Sequence, residues 1–316
     1  MRNPRIHFIV QLITLAIVLV SFSSHEWLIS SSLLVALVLI VTIGIPHGAN
    51  DHLLFFNLIK KNINKKSSGG TLFFAAYLGL IFLYVLSWYN FPTFSLALFI
   101  LISIYHFGQS NLYISPIKSR IVKLVSIFIS GSFVLLTPIF AHIETALPVI
   151  QTLSKNPALL TISNELGIKL AISLGILMII HWLIMIISKQ INFKVGFLEI
   201  FNVIILFGLF YFSPLWIGFA VYFSLWHAIP SVEDQINFFK TTRANYNLGK
   251  YVREILPFSL IAILTLLIAY HYSGNYISVN QGIALLFSFI AVITLPHMVM
   301  MDLLYQRMET DKKRLN

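Results

Sequence analysis

Four histidines in this sequence stand among further polar residues at the ends of long apolar runs. They are His47 in IGIPHGAND, His106 in SIYHFGQSN, His227 in SLWHAIPSVEDQ and His297 in TLPHMVMMD. Imidazole is the commonest metal-ligating side chain, and four neutral imidazoles at one depth can converge on a single ion. An all-imidazole set suits zinc, copper, iron or nickel, so ligand type leaves the metal open. Metal-bound histidines usually donate their second N–H to a carboxylate or carbonyl, and three carboxylates fall at the same level. Asp51 is four residues after His47, Asp302 follows His297, and Glu199 in GFLEIFN begins an apolar helix where it needs a partner. His52 is five residues after His47, about 140° round a helix, so the two do not share a face; His52 is given a supporting or structural role. The bland alternative for any one histidine is an interfacial anchor, and for Asp51 and Asp302 it is capping or loop solvation. The joint placement of the four histidines argues for a site, because ionisable groups at membrane depth are functional candidates. The sequence has no cysteine, which excludes disulfides, thiolate metal sites, iron–sulfur clusters and thiol catalysis.

The elements that must position these groups are membrane helices. Of the 316 residues 58% are hydrophobic and 10% charged, against roughly 25% charged in a soluble domain; the mean hydropathy is +0.87. Spans of about 20 apolar residues are expected near 6–22, 28–46, 71–89, 92–109, 120–140, 168–187, 196–212, 214–230, 255–271 and 283–301. The fold class is therefore all-α, a polytopic transmembrane bundle of eight to ten spans in one integral-membrane domain, 1–316. Span 6–22 is an extension to a core of 28–305, and no small-residue cleavage site follows it as it would a signal peptide. With ten spans, 19 of the 21 Lys and Arg fall on the side of the N-terminus, and only Lys155 and Lys169 on the other. The positive-inside rule then places both termini in the cytoplasm. The formal charge of +10 is thus topological and needs no nucleic-acid partner. His47, His106, His227 and His297 each close or nearly close an even-numbered span, so all four are expected at the cytoplasmic end. Pro46 and Pro296 precede two of them, and Gly48 and Gly108 follow two closely. Helix breaks at such positions are tolerated where protein or a cavity satisfies the freed backbone groups.

GIPHGANDH, YHFGQSN, LWHAIPSVEDQ and LPHMVMMDLLY, in this order on a polytopic chain, resemble the Brp/Blh family of bacteriorhodopsin-related-protein-like membrane β-carotene dioxygenases. The resemblance runs from about residue 40 to about 305 and is specific in its order and spacing. It implies a multi-pass enzyme of the cell membrane that uses Fe(II) and O₂ to split β-carotene at its central 15,15′ double bond. The product would be two molecules of all-trans-retinal, typically delivered to a microbial rhodopsin. By the same resemblance His47, His106 and His227 match iron-ligand, and so catalytic, positions. Some members carry a second histidine one turn after the position of His227, where this chain has Ser231. His297 replaces it by depth, or water completes a three-histidine site. The residue content fits a bilayer-borne polyene substrate: 27 Phe, 13 Tyr and 5 Trp are enough to line a long apolar tunnel, although aromatics also belt membrane interfaces.

Other classes remain open to different degrees. A retinal-binding photoreceptor needs a lysine inside a helix for its Schiff base, and every lysine here lies in a loop or at a span end. A diiron desaturase or hydroxylase would carry HxxxH or HxxHH clusters, which are missing. A bis-histidine haem protein or another metal-binding membrane oxidoreductase stays as an alternative. So does a non-enzymatic transporter, although transporter sites gather near the bilayer midplane.

Overall fold

The computed structural model of the protein describes residues 3–23, 25–59, 68–112, 117, 119–159, 161–274 and 277–315. Their regular structure is entirely helical, the arrangement in which an apolar chain satisfies its backbone within each segment. In chain order the helices are α1 (Pro4–Ser23), α2 (His25–Leu39), α3 (Asp51–Ile59), α4 (Ser68–Asn90), α5 (Pro92–Leu112), α6 (Arg120–Ala141) and α7 (Ile143–Ser154). They continue as α8 (Asn164–Ile187), α9 (Phe193–Phe212), α10 (Leu215–Val221), α11 (Ile229–Thr242), α12 (Leu248–Tyr272) and α13 (Val279–Leu315). Helix starts carry the residues that satisfy orphan N–H groups: Ser163 accepts from Leu166, Asn192 from Val195 and Asn247 from Lys250.

Ten runs among the described residues are long and apolar enough to cross a membrane, as the sequence suggested. Three of them are longer than expected: Glu26–Leu58, Leu215–Thr242 and Val279–Asp311. His47, His227 and His297 therefore do not close their spans, and helix continues for about three to four turns beyond each. The polar residues after each histidine face protein, so the helix need not end where hydropathy falls. Ten alternating crossings would put both termini on one side, as the sequence reading expects. The Asn3 N–H meets the Glu233 carboxylate and Lys123 pairs with Glu309 at 3.1 Å, each contact joining segments that the sequence reading assigns to that side. Arg2, Lys60, Lys61, Lys65, Lys66 and Lys118, all assigned to that side, lie outside the described residues.

The bundle is ordered from inside out. In Leu215–Thr242, 67% of the apolar stretch is buried, against 11% for the runs of α4 and α12, so the first is central and the other two flank the bundle. Large apolar side chains such as Leu72, Phe82, Leu83 and Ile187 stand exposed, as expected of a face that meets lipid. Small residues instead set the internal spacing. At the α5–α6 crossing a Cβ on Gly108 would lie 1.9 Å from the Ile127 carbonyl oxygen, and one on Gly131 would lie 1.7 Å from that of Ile104. The two backbones touch there, two residues from His106. Helix α7, which the hydropathy pattern did not announce, packs against α13 and α5.

Candidate metal centre

The local backbone around two of the histidines is unusual. Ile40–Gly44 and Tyr222–Ala228 are π-helical, and Pro46–Gly48 is a 3-10 turn. The Ile45 N–H bonds to the Ile40 carbonyl at 2.7 Å, the i→i+5 bond of a π-turn, and such turns collect at functional sites. They rotate the following side chains relative to an α-helix. The two π-segments lie side by side, with the Ser224 hydroxyl on the Leu39 carbonyl at 3.1 Å. His106 comes from regular helix in α5, and His297 from α13 directly after Pro296.

These four elements bring the four imidazoles together. The rings of His106 and His227 are 4.8 Å apart between centroids, His47 and His297 4.9 Å, His47 and His227 5.3 Å, and His106 and His297 5.5 Å. Each pair meets edge to face, and all four residues are buried. Ligand atoms of His47, His106 and His227 lie within 4.8 Å of one another, so these three could hold one metal ion. His297 completes the ring cluster from the side of His47 and His106.

Hydrogen bonds set which nitrogen is available in two of the rings. The His47 Nδ1–H donates to the Gly44 carbonyl, and the His297 Nδ1–H donates to Asp51 Oδ1 at 2.8 Å. Either bond leaves Nε2 with its lone pair, the form a metal requires. Those two Nε2 atoms and both ring nitrogens of His106 are buried and meet no hydrogen-bond partner among the described residues. A buried polar atom left unmade costs about 1–3 kcal/mol. Several converging on one point are explained by a ligand there. The donor set thus fits a metal ion.

The carboxylates are arranged differently from the sequence expectation. Asp51 was matched to His47 by its i+4 spacing, but the 3-10 turn carries it away, and Asp51 instead holds His297. Its second oxygen accepts the Tyr77 hydroxyl at 2.8 Å. Asp302 does not engage His297; it accepts from Gln109 at 2.5 Å, Tyr105 at 3.2 Å and Gln306 at 2.6 Å, and so ties α13 to the helix of His106. Glu199 belongs to a separate polar group between α9 and α1. It accepts from Asn202 at 3.3 Å, and Asn202 accepts from Gln11 at 2.7 Å. Its place in an apolar helix is therefore supported by Asn202, which in turn meets Gln11 of α1. His52 stacks on Phe258, 4.1 Å between ring centroids, and with it lines the larger cavity described below. Ser231 is buried beside Met301 and accepts from Gln235 at 3.4 Å.

Sequence reasoning missed several supports. Gln235 donates to the His47 carbonyl at 3.1 Å, and the Tyr251 hydroxyl meets the same oxygen at 3.5 Å. Gln109 and Gln235 sit inside motifs already singled out and could have been marked. Nothing near Tyr77, Tyr251 or the Gly44 carbonyl in the chain signals their roles.

Two apolar cavities open on the cluster. One, of about 110 Å³, is lined by all four histidines and by aromatic and aliphatic residues of α5, α7, α10 and α13. The other, of about 610 Å³, reaches His47 and His297 from the side of α4 and α12. Five residues line both: His47, Phe223, Ile290, Thr294 and His297.

No solved structure matches this chain. A curated protein from an uncultured marine bacterium, 66A03, named Beta-carotene 15,15'-dioxygenase, is 26% identical over 275 residues, covering 86% of this chain and 93% of that protein. A family model described as Beta-carotene 15,15'-dioxygenase matches residues 38–305. That span takes in all four converging histidines, Asp51 and the lining of both cavities, and the chain belongs to the beta-carotene 15,15'-dioxygenase family.

Proposed function

We propose that this protein splits β-carotene with O₂ at the central 15,15′ double bond to give two molecules of all-trans-retinal. Ferrous iron would be held by the Nε2 atoms of His47 and His297 and by ring nitrogens of His106 and His227. The observation that carries this reading is that two apolar cavities share lining residues at the histidine cluster, His47 and His297 among them. A centrally cleaved rod needs an arm on each side of the reacting bond, and apolar walls suit a hydrocarbon. The family and the name of its marine relative point to the same substrate.

Bound ferrous iron supplies the one-electron chemistry that lets O₂ react with a closed-shell polyene. This chain's own residues hold and orient. Gly44 and Asp51 fix the tautomers of His47 and His297. Phe107 packs on His227 at 4.8 Å between centroids, edge to face, and with the apolar lining keeps water from the reacting bond. The balance is simple: the C=C bond breaks, each carbon gains one oxygen atom of the same O₂, and no side chain need move a proton. Isotope labelling should therefore put label from ¹⁸O₂ in both aldehydes.

The protein would lie in the cell membrane with both termini cytoplasmic, since the ten-span reading of the sequence assigns 19 of the 21 Lys and Arg to that side, and a microbial rhodopsin is a natural consumer of the retinal. In a β-carotene-producing host, expression should bleach the orange colour and yield retinal on chromatography. Folded, iron-loaded protein that leaves carotene intact refutes the reading. Asp51→Asn removes the carboxylate from His297, and metal affinity is expected to fall by roughly 10–100-fold, as for other groups that orient a ligating histidine. Competition with a graded chelator measures it, and unchanged affinity would make Asp51 a packing residue.

A further inference from the structure

We infer, resting on the reading above, that Phe223 sets the position along the polyene at which cleavage occurs. It lies in the π-helical segment, one turn before His227, and is one of the five residues that line both cavities. Its ring stands edge to face with His47 at 5.6 Å between centroids, and near parallel to His227 at 5.9 Å and to Phe219 at 5.7 Å. On another side it rests on Gly44, where a Cβ would come within 2.5 Å of the ring. Phe223 is therefore wedged between two candidate ligands and a glycine, with little freedom to turn.

Such a wall matters because the double bonds of a conjugated polyene are chemically alike. Their reactivity gives little reason to cut one rather than the next, so the holding geometry must choose. The cavity arms grip by dispersion, which resists sliding weakly. The feature that marks the centre of β-carotene is steric: methyl branches flank the central bond at a distance, and the stretch between them is bare. A junction walled by Phe223, with Ile290 and Thr294 of α13, admits the bare stretch and stops a methyl branch from either side. The central bond is then held beside the histidines.

The test is cleavage of β-carotene in detergent micelles by iron-loaded Phe223→Leu and Phe223→Ala, with aldehydes resolved by chromatography. Metal content is measured in parallel, as is carotene retained by the iron-free protein. Both variants are expected to keep metal and carotene within twofold of the parent. The ratio of unequal-length aldehydes to retinal should rise at least tenfold in Phe223→Ala and less in Phe223→Leu. An unchanged ratio overturns the inference. Loss of metal overturns it too, since Phe223 would then act through its ligand neighbours, and so does loss of all cleavage with metal and carotene retained. If neither variant folds, Ile290→Ala is read by the same ratio and the same criteria. Failure of the parent protein to make retinal refutes the proposed function itself and is seen before any variant is compared.

Discussion

His47→Ala, His106→Ala and His227→Ala are each expected to abolish both metal retention and carotene cleavage. The three side chains converge from separate elements, the Pro-His-Gly turn, α5 and the second π-helical segment, so no neighbour can replace a lost one. Their ligand atoms lie within 4.8 Å of one another, and removing any one opens the set. The loss should exceed the roughly 10–100-fold typical of residues that only orient a ligand. His52→Ala is the internal control: its ring stacks on Phe258 and is outside the group of converging ligand atoms among the described residues, so metal content should stay at the parent level. His297→Ala decides the fourth position. Its Nδ1–H is held by Asp51 and its Nε2 is buried without a partner among the described residues, so metal content should fall here as well. Full activity with normal iron would leave a three-histidine centre. Metal analysis of detergent-purified protein reads all five variants.

Gly108→Val is expected to prevent assembly of the bundle. A Cβ at Gly108 would sit 1.9 Å from a backbone oxygen of α6, with the backbone nitrogen of Gly131 at 3.1 Å. Backbone cannot step aside as a side-chain tip can, so α5 and α6 must separate along the crossing. That movement takes His106 out of the cluster. Size-exclusion profiles and thermal unfolding in detergent should show aggregated or strongly destabilised protein. Gly79→Ala in α4 provides the contrast, because a Cβ there meets nothing within 4 Å. In a helix interior this exchange is expected to stabilise by about 0.5–1 kcal/mol. Equal behaviour of the two variants would remove close backbone approach as the reason for Gly108.

Much of the site was legible because membrane helices are announced locally. A run of apolar residues predicts a helix regardless of the rest of the chain, since no other open backbone satisfies its own hydrogen bonds in hydrocarbon. Counting such runs was enough to place His47, His106, His227 and His297 at corresponding levels, and the structure gathers these four. Where the helices end was harder to read. After His47, His227 and His297 the sequence turns polar, which resembles a membrane exit, yet Asp51, Gln235 and Asp302 find protein partners and the helices run on. Helix α7 was missed for the opposite reason: at 12 residues it is too short to be marked as a span.

Residue types and their order along the chain were thus enough for the ten apolar runs long enough to cross a membrane among the described residues and for the candidate ligand set, because hydropathy and imidazole chemistry are properties of single segments. Pairings between segments were not. Asp51 is near His47 in sequence but bonds His297, which is 246 residues away; Glu199 shares the expected level but accepts from Asn202 of its own helix. The Gly44 carbonyl, Tyr77 and Tyr251 enter the site because of a π-turn, a 3-10 turn and the packing of distant helices. Helical spacing predicts which residues share a face only while the helix stays regular. At this centre two departures from α-geometry rotate the faces, and the partner of each polar group is set by which helix the fold lays against it.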